Sequence, residues 1–215
     1  MIQGSELWFA ARAGRATASR IADIMAKTKT GPSASRTSYA AQLVAERLTG
    51  TVEPSFSNAA MAWGTATEPQ ARNAYCYRQD VDVTEVGFIL HPTIGMAGAS
   101  PDGMIGDDGL VEFKCPNTST HVDTLLNDKV PTKYIVQIQW QLACTGRAYC
   151  DFASYDPRLP EAMRLFVRRV TRDDIHIATL EAGVAEFLAE IDATIDALRD
   201  RYEPVSDTQP LTAAG

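Results

Sequence analysis

The sequence predicts an α/β fold: a sheet built around one charged hairpin and flanked by helices. Three observations predict it. Short runs rich in β-branched and aromatic residues, bounded by turn residues, alternate with longer stretches whose apolar positions recur at helical spacing. Residues 100–114, Ser-Pro-Asp-Gly-Met-Ile-Gly-Asp-Asp-Gly-Leu-Val-Glu-Phe-Lys, fold back on themselves around a turn-rich centre. The chain has 215 residues, 45% of them hydrophobic, enough for one sizeable core, so a single domain over 1–215 is expected.

The elements follow in order. Residues 17–27 read as a helix, with Thr17 as its N-cap. Residues 28–35, rich in Gly, Pro, Ser and Lys, read as a mobile loop. Residues 39–49 are helical and stop at Gly50. Residues 51–58 form a loop, 67–78 a helix and 81–90 a strand. Residues 93–100 and 110–115 are strands joined through 103–109. A short helix spans 118–127. Pro131 opens another helix, which Gly146 ends; Ile135, Ile138 and Leu142 share one face, and Tyr134, Gln137 and Gln141 another. Strands follow at 148–155 and 163–170. The last helix covers 173–201, with Leu180, Val184, Phe187, Ile191, Ile195 and Leu198 as an apolar stripe. A flexible tail is expected over 205–215.

Composition excludes several classes. No apolar run approaches the length of a membrane span. Residues 1–5 carry no signal-peptide pattern, so a cytoplasmic protein is expected. Cys76, Cys115, Cys144 and Cys150 contain no Cys-x-x-Cys pair, and with three scattered histidines they match neither a zinc site nor an iron–sulfur cluster. Reduced thiols are expected. The net charge is -7, but it is unevenly spread. Residues 1–40 carry Arg12, Arg15, Arg20, Lys27, Lys29 and Arg36 against Glu6 and Asp23. Residues 171–207 carry three arginines against ten acids. A local basic surface attracts phosphates whatever the total.

The hairpin carries the chemistry. With a turn centred near Asp107, Asp102 falls opposite Glu112. Facing carboxylates repel, and a hard cation such as Mg²⁺ between them relieves the repulsion. Glu112 and Lys114, two apart on one strand, share a face, so Lys114 stands beside the cation, ready to orient water or meet phosphate charge. Phe113 points into the core, and its backbone carbonyl is a further candidate ligand. Glu68, near the start of its helix, would add a third acid for a two-metal site. Arg12 with Thr17, Ala18 and Ser19 offers a phosphate site at a helix N-terminus. Gln137 and Gln141 could bond a phosphate or a metal-bound water. Met61 reads as core; exposed beside the site, it could wedge between bases.

These pieces stand in order along the chain: Trp8, Arg12-x-Gly14 and Thr17-Ala18-Ser19; Ala62-Trp63-Gly64 and Glu68; Ser100-Pro101-Asp102-Gly103; Glu112-Phe113-Lys114-Cys115-Pro116; Tyr134, Gln137 and Gln139; Tyr155-Asp156-Pro157. Together they resemble the lambda exonuclease (YqaJ-type) family of phage recombination nucleases, from about Trp8 to Val170. The 28–35 loop and the stretch before Met61 depart from the family in composition. The resemblance implies a restriction-endonuclease-like core with a central mixed sheet. It implies a Mg²⁺-dependent exonuclease, with two ions and Mn²⁺ able to substitute, that degrades the 5′-ended strand of linear duplex DNA. Products would be 5′-mononucleotides and a 3′ overhang. It further implies a homotrimer, a single-strand annealing protein as partner, and the cytoplasm of a bacterium hosting a phage or prophage. Carried over, Asp102, Glu112 and the Phe113 carbonyl are metal ligands, Lys114 is the catalytic lysine and Glu68 the additional acid. Arg12, Ser19, Ser100 and Gln137 hold the 5′-phosphate or order the site.

Three rivals stand beside this reading. An endonuclease of the same core would cut closed circles. A DNA-end-binding module on a decayed nuclease fold would need no intact Asp102, Glu112 and Lys114. A carboxylate-pair glycosidase using Asp102 and Glu112 leaves Lys114 and the basic N-terminal region without a role.

Overall fold

The computed structural model describes residues 2–29, 31–52 and 59–203. It opens with α1 (Glu6–Arg12), capped by Ser5 and too short to display a helical repeat. Residues 17–27 do not form one helix. They divide into β1 (Ala16–Thr17), a 3-10 turn at Ala18–Arg20 and α2 (Ile21–Met25). Thr17 pairs in a sheet, and its side chain makes no capping bond. Residues 28–35 are not a plain loop either. A two-rung ladder of β2 (Lys27–Thr28) and β3 (Gly31–Pro32) precedes α3 (Ala34–Thr49). That helix begins earlier than its apolar periodicity because the Ser33 side chain caps the N–H of Arg36.

The next helix, α4 (Ala59–Gln79), also starts earlier than expected, with Gly64 and Pro69 inside it. Both residues argue locally against a helix; burial of Thr67, Ala71 and Tyr75 overrides them. Glu68 is therefore mid-helix, not near a helix start. The strand expected at 81–90 shrinks to β4 (Ile89–Leu90) and one bridge, Thr84 to Met104. Residues 93–100 keep only β5 (Ala97–Ala99), which joins β1 and β4 in a small sheet. Its place in the motif hairpin is taken by β6 (Gly103–Ile105), which pairs with β7 (Gly109–Lys114). The turn still centres on Asp107. Gly103 faces Val111 and Ile105 faces Gly109, so one further step of the register sets Asp102 across from Glu112.

From here the elements fall within two residues of their predicted limits: α5 (Thr118–Asn127), α6 (Thr132–Thr145), β8 (Tyr149–Tyr155), β9 (Leu165–Thr171) and α7 (Asp174–Tyr202). Both α3 and α6 end on a left-handed glycine, Gly50 and Gly146, at φ +70° and +69°.

The main sheet runs β6-β7-β8-β9 and is mixed, with β7 and β8 parallel and the outer pairs antiparallel. Strand alternation gives it two buried faces. On one, Ala71 and Tyr75 of α4 pack with Val111, Phe113, Ala153 and Tyr155. On the other, Ile138 and Leu142 of α6 pack with Leu110, Cys150 and Phe152. Glu112 and Lys114 share this second face with α6. A separate core joins α2, α3, Trp140 and the stripe of α7. Leu180 through Ile195 are buried there, while Leu198 is partly exposed. The acids of α7 turn back on the basic N-terminal region: Arg36 pairs with Glu190 at 2.7 Å and Arg47 with Asp192 at 2.5 Å. The four cysteines are unpaired, two buried and two half-buried. Part of the 51–58 loop, residues 53–58, and the whole 205–215 tail lie outside the described residues.

Candidate active site

Glu112 is the centre of the acid site. It is fully buried on β7, and its carboxylate accepts hydrogen bonds from three side chains. Gln137 Nε2 reaches Oε1 at 2.6 Å, Gln141 Nε2 reaches Oε2 at 2.6 Å, and the Lys114 ammonium sits on Oε1. The two glutamines come from successive turns of α6, which lies over this face of the sheet. Gln137 thus bonds a carboxylate rather than standing free for a phosphate. Gln141 joins it, whereas Gln139 points away to Thr171 and Asp173.

Asp102 stands across the hairpin. Its Oδ2 accepts the N–H of Phe113 at 2.7 Å. In an extended strand the N–H and C=O of one residue point to the same edge. The Phe113 carbonyl therefore lies on the edge facing Asp102, beyond the last backbone pair of β6. Its ring goes the other way, edge-on to Tyr75 at 5.7 Å. The Lys114 ammonium also lies over the ring of Tyr134, 5.2 Å from its centre.

The acids and the lysine act on one another's charge. Burial and then Glu112 push Asp102 well above the usual carboxylate range, against Lys114 and the Phe113 N–H. Burial also raises Glu68, opposed by Arg72 and reinforced by Glu112. For Lys114 burial works to lower the ammonium, but Glu112 and Asp102 outweigh it and hold it above its ordinary value. Among the described residues no three His, Cys, Asp or Glu side chains converge as a ready chelate. The donors that do face one another are Asp102, Glu112 and the Phe113 carbonyl. All are hard oxygens and suit a hard divalent cation. Gln141 Oε1, buried beside Glu112 and without a hydrogen-bond partner among the described residues, is a further acceptor for hydration.

A second site lies two residues upstream. Ser100 Oγ accepts from Trp8 Nε1 at 2.9 Å and from Arg12 Nη1 at 3.4 Å. The Arg12 guanidinium stacks on the Trp8 ring, 4.0 Å from its centre. Burial pulls Arg12 below its ordinary value, with Tyr39 and Glu46 opposing. Arg12, Arg15, Ser19 and Arg20 line a cleft of about 830 Å³. Ser19 is exposed on the 3-10 turn rather than at the start of a long helix. A second cleft of about 610 Å³ is lined by Glu68, Lys114, Lys133 and Tyr134. Met61 lines both, and it is 51% exposed rather than core.

Residues 7–148 match the family model of the YqaJ-like viral recombinase domain. The chain belongs to this family. LHK-Exo, an alkaline exonuclease from Laribacter hongkongensis, is 53% identical and superposes with a TM-score of 0.86, covering 92% of this chain and 97% of its own. A second structure, LHK-Exo in complex with dAMP, matches at 54% identity with the same score and coverage. A phage related exonuclease from Haemophilus somnus 129PT, 13% identical, covers 86% of this chain and 96% of its own at a TM-score of 0.70 and shares the fold alone. No curated protein matches. The family match and the superposition identify the mixed sheet and its flanking helices as the restriction-endonuclease-like fold.

Family membership puts the placement of the predicted residues in relief. The fold gathers Asp102, Glu112, Lys114 and Gln137 at one point and Arg12 and Ser100 at another, while Glu68 reaches the first from α4. Two contributors have no role in the sequence reading, although Trp8 stands in its motif series. Trp8 has no periodic signal, yet it supports both Arg12 and Ser100. Arg72 contacts Glu68 and the backbone of Asp102; its spacing four residues after Glu68 was the available signal.

Proposed function

We propose that the chain is a Mg²⁺-dependent nuclease that degrades linear double-stranded DNA from its 5′ ends, releasing 5′-mononucleotides and leaving a 3′ single-stranded overhang for recombination by strand annealing. One observation carries the reading. Ser100, held by Trp8 and Arg12, which line the arginine cleft, is two residues from Asp102 in the acid site. Two residues of chain span at most about 7 Å, the scale of one nucleotide. A strand end seated in the first site presents its next phosphodiester to the second.

Asp102, Glu112 and the Phe113 carbonyl would hold Mg²⁺, with Glu68 as the additional acid. The ions would supply Lewis acidity and a nucleophilic water at neutral pH. Lys114 meets the phosphate charge and orients the water from its place on Glu112. Gln137 and Gln141 fix the Glu112 carboxylate. Arg12, Ser19 and Ser100 receive the terminal 5′-phosphate. Each cleavage leaves a new 5′-phosphate, so the same cleft can draw the strand forward without ATP. Met61, exposed between the two clefts, would part the strands as an apolar wedge. The LHK-Exo complex with dAMP, a deoxynucleoside monophosphate, supports this product class. By the same family likeness the working form would be a homotrimer acting with a single-strand annealing protein in the bacterial cytoplasm during phage or prophage recombination. No helix among the described residues is long and apolar enough to cross a membrane.

Digestion of linear duplex labelled at one 5′ end, with 5′-phosphate compared against 5′-hydroxyl in Mg²⁺, tests the reading. Mononucleotide release favouring the phosphorylated end supports it. Cuts in covalently closed circles would make the chain an endonuclease, and binding without turnover an inactive end-binding module.

A further inference from the structure

Arg72 joins three segments at the edge of the acid site. Its Nη2 donates to Glu68 Oε1 at 3.3 Å and to the backbone carbonyl of Asp102 at 3.4 Å, while Nη1 pairs with Glu85. The acceptors come from α4, from the residue preceding β6, and from the stretch that Thr84 bridges to Met104. The side chain is only 18% exposed. Its guanidinium lies 5.9 Å from the centre of the Phe113 ring. A planar fork of donors holds several acceptors in fixed directions, which a single ammonium does not.

We propose that Arg72 is a positioning residue for the metal site: it fixes the Glu68 carboxylate relative to the Asp102 backbone, so that the acids meet a cation already arranged. The inference rests on the metal-dependent nuclease reading above. Its rival is simple charge balance, and the two differ in sign. Removing a cation that merely neutralises acids strengthens metal binding. Removing one that orients ligands weakens it, by about 10–100-fold for groups one shell out from a metal.

The test is Mn²⁺ binding to the metal-free full-length chain, read from the free-ion electron paramagnetic resonance signal. Wild type is compared with Arg72→Gln, Arg72→Lys, Glu68→Gln and the double variant Arg72→Gln/Glu68→Gln, each checked for folding by circular dichroism. Both Arg72 variants should bind Mn²⁺ about tenfold or more weakly. The double variant should lose no more than Glu68→Gln alone, because the two residues act through one interaction. The KM for DNA should not move, and kcat should largely recover at saturating Mn²⁺. Binding by Arg72→Gln as tight as wild type, or tighter, overturns the proposal. If Arg72→Gln does not fold, wild-type affinity in Arg72→Lys overturns it instead. A wild-type chain that neither binds Mn²⁺ nor cuts DNA sinks the nuclease reading and this inference with it; one that does both, with unaltered Arg72 variants, sinks this inference alone.

Discussion

The Asp102 carboxylate accepts the backbone N–H of Phe113 at 2.7 Å, one residue past the last backbone pair of β6 with β7. A side chain continues the ladder where the main chain has stopped. Asp102 is thereby fixed to the strand edge that also carries the Phe113 carbonyl, and Glu112 and Lys114 follow from the same strand.

Replacing Lys114 by alanine should preserve the fold and DNA binding while lowering cleavage by about 10²–10³-fold, the usual cost of one preorganised electrostatic group. Single-turnover nucleotide release and a gel-shift assay measure the two effects separately. Near-normal cleavage in this variant would remove Lys114 from the chemistry.

Arg12→Ala should reduce digestion of 5′-phosphorylated ends far more than of 5′-hydroxyl ends. The expected ratio is about tenfold or more, equivalent to one charge-assisted hydrogen bond of 1.5–3 kcal/mol. An equal loss on both ends would mean that the arginine supports the cleft wall and does not read the phosphate.

Burial and Glu112 raise Asp102 above its ordinary value of 3.8, so the folded metal-free chain holds that proton more tightly than the unfolded chain. The preference is fully present below about pH 4 and is lost as pH rises through the raised value. Measured against Asp102→Asn, which does not titrate, metal-free wild type should lose melting temperature as pH climbs from about 4 toward neutrality. Mg²⁺ bound at Asp102 as proposed would compete with the proton, so it should raise Tm more at about pH 8 than at about pH 5. A difference between the two proteins that stays flat with pH, and no pH dependence of the Mg²⁺ effect, would contradict this.

Asp156 behaves in the opposite sense. Burial would raise its carboxyl, but Arg158 and the Thr118 hydroxyl hold it down at about 2. Thr118 Oγ1 lies 2.7 Å away at the start of α5, and the Arg158 N–H at 3.0 Å. The stability this provides is present above about pH 4 and lost as pH falls toward 2. Asp156→Ala should cost about 1.5–3 kcal/mol in urea unfolding at neutral pH, with the salt-bridge share small because Arg158 is 44% exposed. Unchanged stability would mean that water replaces these bonds at no cost.

The later elements were legible because each carries its own punctuation. Gly146 stops α6, Asp173 caps α7, and the α7 stripe repeats for four turns. The hairpin register was legible because a turn centred on Asp107 allows only one partner for Asp102. The N-terminal half was harder. Its short strands, β1 through β5, are two or three residues long and exist because neighbours complete them, and α4 runs through Gly64 and Pro69 because its Ala71 and Tyr75 are buried against the sheet. At the site, residue types were visible and their partners were not. Nothing in Gln137 and Gln141 says that a carboxylate, rather than a phosphate, lies under both. Met61 reads as core from its apolar side chain alone, and nothing in the neighbouring residues marks it as exposed.

The ion pairs that α7 makes with Arg36 and Arg47 bear on how such a chain would travel on DNA. Those two arginines are only 14% and 11% exposed, each committed to an acid of the same chain. Every phosphate neutralised by a free cation adds about 0.9 to the slope of log affinity against log salt. With Arg36 and Arg47 withdrawn, and Arg20 shared with Asp23, fewer counterions would be released on binding than the count of basic residues implies. Affinity should fall less steeply with ionic strength than that count implies, and the flanks of a duplex should offer correspondingly less purchase. Under the end-dependent reaction proposed above, the strand terminus would then carry a larger share of the grip than the flanks do.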